Sequence, residues 1–157
     1  MTSESARHSA SGCMKAILFV VMVTVLGLGS AFSAINEKKV ENAKQSAAKS
    51  GKLIAFVFYQ GYWDPNCPKC VATVNANNAS AKKVIPHQDA VVIEVIGKVK
   101  DVKAALPPVV SMDGQAPRVV VTDAACGQIV AEMKPGMDKA DLEAFEKKIK
   151  AAVTSKH

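Results

Sequence analysis

Aromatic residues are scarce in this chain of 157 residues, and basic residues gather in no single stretch. The chain has one Trp, two Tyr and five Phe. Beyond Ala34 there are eighteen Lys or Arg against thirteen Asp or Glu, so the net charge of +5 is spread along the chain. Nucleic-acid-binding proteins usually gather basic charge on one face and add aromatic residues for stacking. The composition therefore argues against a nucleic-acid partner and assigns the lysines to solvated faces.

Residues that bind metal ions are also few. His87 is the only histidine between Ala34 and the last residue, and its position beside Pro86 is typical of a surface loop. A tetrahedral zinc site needs four ligands, and the chain has no second Cys-x-x-Cys pair. Covalent haem attachment requires a histidine directly after the second cysteine, where Val71 stands. We therefore expect neither a metal nor a cofactor.

Two of the four cysteines form the tetrapeptide Cys67-Pro68-Lys69-Cys70, shortly after an apolar run. Two thiols separated by two residues at the start of a helix are close enough to form a disulfide. The amino terminus of the helix favours the thiolate form of the first thiol, and so does a neighbouring lysine. The spacing therefore predicts reversible dithiol chemistry, with Cys67 as the reactive thiol.

The amino-terminal segment contains no charged residue from position 16 to position 35. Arg7 and Lys15 precede this stretch and small residues end it, which is the layout of a secretory signal peptide cleaved near residues 31–34. The alternative is an uncleaved anchor, because about twenty uncharged residues are just enough to span a bilayer. We therefore expect a signal peptide or signal anchor over residues 1–34. Residues 35–157 are then a secreted or periplasmic domain, or one anchored to the membrane by residues 16–35.

The rest of the chain predicts eight elements in the order helix, strand, helix, strand, helix, strand, strand, helix. The first strand is expected to be buried on both faces and the second is also expected to be buried. The last two strands are separated by five residues, which suits an antiparallel hairpin. The predicted strands cover residues 53–59, 90–96, 118–122 and 128–132.

The predicted helices begin and end at residues with clear signals. Ser50-Gly51 ends the first helix, and Pro68 suits the first turn of the second, where a missing N–H costs nothing. Three asparagines weaken the later part of that helix, since asparagine is a poor helix former. Pro107-Pro108 ends the third helix and Asp138 caps the fourth. This order predicts a three-layer α/β domain with helices on both faces of a mixed central sheet.

About fifty residues after the cysteine pair, Ala116-Pro117 leads into the apolar run Arg118-Val119-Val120-Val121. A strand, a Cys-x-x-Cys helix, a strand, a helix, a proline-led hairpin and a final helix resemble the plan of the thioredoxin superfamily over residues 36–153. Residues 49–56, with a Gly-Lys turn before a strand, resemble secreted thioredoxin-like domains. The resemblance implies a thioredoxin-like fold and an extracytoplasmic thiol-disulfide oxidoreductase that exchanges disulfides with partner proteins and needs no cofactor.

The resemblance also implies a role for each matching residue. Cys67 would be the exposed nucleophile and Cys70 the buried resolving thiol. Pro117 would be a cis-proline, Ala116 would offer backbone groups to a bound substrate strand, and Trp63 would be the aromatic residue that flanks the site. The expected partners are protein thiols or disulfides, and membrane contact is expected only through an uncleaved amino-terminal segment.

One residue of the family pattern is missing from this sequence. Many thioredoxins carry a buried carboxylate on the strand before the active site, and residues 55–59 contain none. Asp64, in a loop that is longer than usual, is the nearest substitute. The absence argues against fast reduction of the thioredoxin type.

Two alternatives stay open at this stage. Cys67 and Cys70 could form a static structural disulfide, as in a non-catalytic thioredoxin-fold binding module. Cys126 leaves an odd number of cysteines after the apolar segment, so its thiol is either tolerated unpaired or forms a mixed disulfide with a partner.

Overall fold

The computed structural model describes residues 34–61 and 66–155. Within them the chain forms the predicted order of elements, which is therefore confirmed. The elements are helix α1 (Glu37–Ser50), strand β1 (Leu53–Phe58), helix α2 (Pro68–Lys83), strand β2 (Ala90–Glu94), helix α3 (Val99–Ala105), strand β3 (Arg118–Thr122), strand β4 (Ile129–Met133) and helix α4 (Lys139–Thr154).

Several predictions fall on residues outside this part of the chain. The predicted signal peptide or anchor lies outside it except for Ala34, and so do Trp63 and Asp64. Localisation therefore stays a prediction. Among the residues that the structure describes, no helix is long and apolar enough to cross a bilayer.

The four strands form one mixed sheet in the order β2-β1-β3-β4. Strand β1 runs parallel to β2, with Leu53 opposite Ala90, and antiparallel to β3, with Phe58 opposite Arg118. Strands β3 and β4 are antiparallel and form the predicted hairpin. This topology brings the carboxyl end of β1 and the amino end of β3 to the same end of the sheet. The segment that leads to Cys67 therefore starts beside the point where the segment before β3 ends, at Pro117.

Helices cover both faces of the sheet, as predicted. Alternate side chains of β1 point to opposite faces, because strand residues have a period of two. Ile54 and Phe56 are buried with residues of α1 and α3, such as Val40 and Val102. On the other face, Leu53, Ala55 and Val57 are buried with Ala81 of α2 and with Phe145 and Ile149 of α4. Strand β1 therefore contributes buried side chains to both cores. Full burial of a side chain such as Leu53, Ile54 or Phe56 stabilises the fold by about 1.5–3 kcal/mol.

Strand β2 differs from the prediction of a buried strand over residues 90–96. It ends at Glu94, and only Ala90 and Ile93 are buried, while the other three residues are half-buried. The reason is its place at the edge of the sheet, where it has a neighbouring strand on one side only. An apolar run does not by itself distinguish an edge strand from a central one.

Candidate functional site

Cys67 is the residue that begins helix α2. It adopts an extended conformation as the N-cap, and Pro68 follows within the first turn, where its missing N–H leaves no bond unmade. The Sγ of Cys67 accepts a hydrogen bond from the backbone N–H of Cys70 at 3.3 Å. The sulfur thus takes the part that a serine or aspartate oxygen usually takes in capping a helix.

Cys67 and Cys70 form a disulfide, with their Cα atoms 5.2 Å apart. Both cysteines are half-buried, and the two residues between them are exposed. The resemblance implied an exposed first cysteine and a buried second one, and this contrast is absent from the disulfide-bonded pair. Cys67 caps the helix and Cys70 lies in its first turn, next to the exposed residues Pro68 and Lys69, so the two cysteines share a similar environment.

The electrostatic surroundings of the pair favour negative charge on Cys67. No acidic residue lies in the first turn of α2, and Lys69 stands exposed two residues after Cys67. The unpaired N–H groups at the start of a helix carry partial positive charge, which stabilises an anion placed there. A reduced Cys67 would therefore meet both a hydrogen-bond donor and a positive field, the conditions that make a thiol reactive.

Three hydrogen bonds fix Gln60, two residues after the end of β1, to the middle of α2. The side chain of Asn78 accepts from the backbone N–H of Gln60 at 2.9 Å and donates to its carbonyl oxygen at 3.0 Å. The amide of Asn77 donates to Oε1 of Gln60 at 2.9 Å. We call these contacts the amide clamp. The segment from Gln60 to Cys67 is therefore bound to the middle of α2 at its beginning and reaches the N-cap of the same helix at its end.

A cavity of about 430 Å³ lies beside the second half of α2. Ala116 and Pro117, the predicted substrate-binding residues, both line it, and the peptide bond between them is cis, as predicted. The other lining residues come from the segments after β1 and before β3, from α2 and its C-cap, and from the stretch that runs from the end of β4 into α4: Gln60, Asn77, Ser80, Ala81, Val84, Gln115, Met133, Lys134, Pro135, Gly136, Met137 and Leu142.

The cysteines are not part of this lining. The first residue of α2 to reach the cavity is Asn77, ten residues after Cys67, which is about 15 Å along the axis of a helix that rises 1.5 Å per residue. Among the described residues, the structure places Cys67 and Cys70 together, and Ala116 and Pro117 together, and the cavity that Ala116 and Pro117 line does not include either cysteine.

Tyr59, the residue directly after β1, contacts the carboxylate of Glu94 on β2. Its hydroxyl donates a hydrogen bond to Oε1 of Glu94 at 3.0 Å, and the Nζ of Lys82 lies 5.4 Å from the centre of its ring. Burial, followed by the interaction with Glu94, raises the pKa of Tyr59 to about 12. Strand β1 has no carboxylate of its own. The carboxylate of Glu94 on β2 lies beside it but already accepts a hydrogen bond from Tyr59.

Cys126 lies away from the cysteine pair, in the turn between β3 and β4. It is 5% exposed and packs with the core on the α1 and α3 face, whereas α2 packs on the other face of the sheet. The hydroxyl of Thr122 donates to its Sγ at 3.7 Å, and burial raises the pKa of the Cys126 thiol. Within residues 34–61 and 66–155 it is the free cysteine, and its burial argues against an exposed mixed disulfide with a partner.

The sequence did not reveal four residues that shape these sites. Gln60, Asn77 and Asn78 form the amide clamp, and Arg118 donates hydrogen bonds to backbone carbonyl groups of the segment before β3. For the asparagines, the signal was their presence in a helix that they should weaken. For Arg118, the signal was a charged residue at the head of an otherwise apolar strand, because such a residue is buried only when it is paired.

In the described part of the chain, no three His, Cys, Asp or Glu residues are grouped so that they could hold a metal ion. Comparison with known proteins supplies no further assignment. No protein family, curated protein or solved structure matches this chain.

Proposed function

We propose that this protein is an extracytoplasmic thiol-disulfide oxidoreductase of thioredoxin-like fold that exchanges disulfides with partner proteins through Cys67 and Cys70. The observation that carries the proposal is the hydrogen bond from the N–H of Cys70 to the Sγ of Cys67 at the start of α2. Hydrogen bonds to an ionised acceptor are about twice as strong as neutral ones, so this bond strengthens when the disulfide is reduced to a Cys67 thiolate.

The reaction balances without a cofactor. In the reduced protein, the Cys67 thiolate attacks one sulfur of a partner disulfide, so that a mixed disulfide forms and one partner thiolate leaves. The Cys70 thiol then loses its proton and attacks the Cys67 sulfur, which releases the second partner thiolate and restores the Cys67–Cys70 disulfide. Two electrons pass to the partner, and the reverse sequence oxidises a partner dithiol.

Support for the thioredoxin-like fold comes from the order of the elements and from the helices on both faces of the mixed sheet. Support for the location comes from the uncharged stretch over residues 16–35. An oxidising compartment outside the cytoplasm is also where disulfides form and persist.

A second candidate is a non-catalytic binding module of the same fold, in which the Cys67–Cys70 disulfide only braces the start of α2. The observation that favours it is the separation of the cysteines from the cavity of about 430 Å³. A protein that binds its partner in that cavity has no need of a thiolate at the far end of the helix.

Turnover of a model substrate separates these candidates. The substrate is a synthetic peptide closed by one disulfide, with dithiothreitol as the final reductant. The wild-type chain is expected to accelerate the reduction above the rate with dithiothreitol alone, and Cys67→Ser is expected to abolish the acceleration. Reduced Cys70→Ser, freed of dithiothreitol before the peptide is added, should accumulate a mixed disulfide between Cys67 and the peptide, visible as an added peptide mass.

Cys126→Ala is the matched control, because it also removes a cysteine but on the other face of the sheet. It should turn over the peptide at the wild-type rate. A wild-type chain that adds nothing to the dithiothreitol rate would favour the binding module.

A further inference from the structure

Arg118 begins strand β3, directly after Pro117, and its side chain is almost fully enclosed. The residue is 6% exposed. A buried guanidinium is costly unless its donors find acceptors and its charge is balanced. The contacts of Arg118 therefore indicate what the residue is for.

The guanidinium group meets the segment before β3 with two hydrogen bonds. Nη1 donates to the carbonyl oxygen of Asp113, and Nη2 donates to the carbonyl oxygen of Ser111. Nη1 also lies 3.4 Å from Oε1 of Glu132 on β4. The group stacks on the ring of Phe58, 4.4 Å from its centre. The fork of Arg118 thus joins the segment to the two strands that flank β3.

Gly114 shows how closely this segment approaches the guanidinium. A Cβ atom at this position would lie 2.8 Å from Nη1 of Arg118, and the backbone φ of 129° is one that side-chain-bearing residues rarely adopt. Both facts require glycine here. The backbone therefore passes directly against the arginine.

The segment held in this way leads directly into Gln115, Ala116 and Pro117, which line the cavity of about 430 Å³. Gln115 lines both that cavity and a second one of about 270 Å³, which also includes Arg118. Lys134 and Pro135 line both cavities as well. Gln115 therefore has open space on both sides, and we call residues 115–117, which begin there, the partition. The fork of Arg118 fixes the chain just before this partition.

We infer that Arg118 is a positioning residue, which holds residues 111–114 so that Ala116 and Pro117 present a fixed surface to the partner's polypeptide. The inference rests on the proposed function, because it assigns Ala116 and Pro117 to substrate binding. Lysine cannot replace arginine in this role, since an ammonium group lacks the planar fork that reaches two carbonyl oxygens and a carboxylate together.

Two variants of the full chain test this from opposite sides of the contact. Arg118→Lys keeps the charge and removes the fork, and Gly114→Ala keeps the fork and drives the backbone away from it. Lys139→Met is the control, because it removes a lysine whose side chain is 92% exposed. Each is compared with wild type in the kinetics of peptide-disulfide reduction and in amide hydrogen exchange of residues 115 and 116.

Both variants are expected to raise KM for the peptide about tenfold, with kcat within about threefold of wild type, because they loosen a binding surface and leave the thiols alone. Amide exchange at residues 115 and 116 should become at least about tenfold faster, as local opening becomes easier. A purely structural role would instead reduce the amount of active protein, which lowers kcat and leaves KM unchanged.

Unchanged KM together with unchanged exchange in both variants would overturn the inference, and so would loss of kcat alone. If Arg118→Lys does not fold, Gly114→Ala carries the test by itself. A wild-type chain that fails to reduce the peptide would refute the proposed function and, with it, the role in substrate binding. Exchange at residues 115 and 116 would then still show whether Arg118 holds the partition.

Discussion

At the scale of single residues, three cysteines of the described part of the chain differ in what surrounds their sulfur atoms. The Sγ of Cys67 accepts an amide hydrogen bond at a helix start, and Lys69 stands nearby. Cys70 lies within the first turn of the same helix. Cys126 is enclosed in the core, and burial raises its pKa. The same functional group is therefore expected to be reactive at Cys67 and protected at Cys126.

Alkylation of the reduced protein at increasing pH should separate these thiols. Cys67 is expected to reach half its maximal labelling rate at a pH below about 8.5, the ordinary midpoint for a cysteine, because the helix start favours the thiolate. Cys126 should stay unlabelled until the protein is denatured, since its sulfur is buried. Labelling is assigned by peptide mass. A midpoint for Cys67 at or above about 8.5 would contradict the electrostatic argument.

Tyr59 makes stability depend on pH in the alkaline range. Its pKa in the folded protein is about 12, against an ordinary value of 10.0, so the folded state holds the phenol proton more tightly than the unfolded state. The resulting stabilisation is fully present below pH 10 and is lost as the pH rises toward 12.

Tyr59→Phe is therefore expected to be less stable than wild type by about 1 kcal/mol at pH 8, where it lacks the hydrogen bond to Glu94. The difference should shrink between pH 10 and pH 12. Urea unfolding at a series of pH values measures it. A difference that is constant across this range would mean that the environment of Tyr59 does not perturb its titration.

At the scale of elements, α2 is the helix on which the candidate site depends. The amide clamp ties the middle of α2 to Gln60, just after β1, and the N-cap of α2, Cys67, is the candidate nucleophile. Helix propensity alone disfavours the asparagines of the clamp. Their contribution therefore comes from tertiary hydrogen bonds, which also set where the segment before Cys67 begins.

Asn78→Ala is expected to destabilise the domain by about 1–3 kcal/mol, because it leaves both the N–H and the carbonyl oxygen of Gln60 without this partner. The change should improve intrinsic helix propensity, so any loss of stability is due to the clamp. Asn77→Ala is the graded control, since it removes one bond to the Gln60 side chain instead of two to its backbone. Equal stability of Asn78→Ala and wild type in denaturant unfolding would show that the clamp contributes nothing.

The elements themselves were largely predictable from local patterns, and the long-range contacts were not. Strand β3 and the cap of α4 at Asp138 follow from an apolar run and a capping residue, and both were predicted at the observed positions. The partial burial of β2 depends on its place at the edge of the sheet, and the apolar run over residues 90–96 does not encode that place. Arg118 and the amide clamp join residues from different elements, so only the folded chain brings their partners together.

At the scale of the whole molecule, the sheet separates two kinds of thiol. The cysteine pair belongs to α2, on one face, and Cys126 belongs to the core on the other face. Exchange between them would require the layers to come apart. Among the three cysteines of the described residues, the redox chemistry is therefore expected to be that of the Cys67–Cys70 couple alone.

The most direct measurement is the reduction potential of that couple. The full chain carrying Cys13→Ala and Cys126→Ala is equilibrated in glutathione buffers of graded potential, quenched with acid, alkylated, and weighed by mass spectrometry. An exchanging couple with a stabilised Cys67 thiolate is expected to be half reduced at a potential above about −300 mV. Half reduction well below about −300 mV is the behaviour of a structural disulfide and would contradict the proposal that this protein exchanges disulfides with its partners.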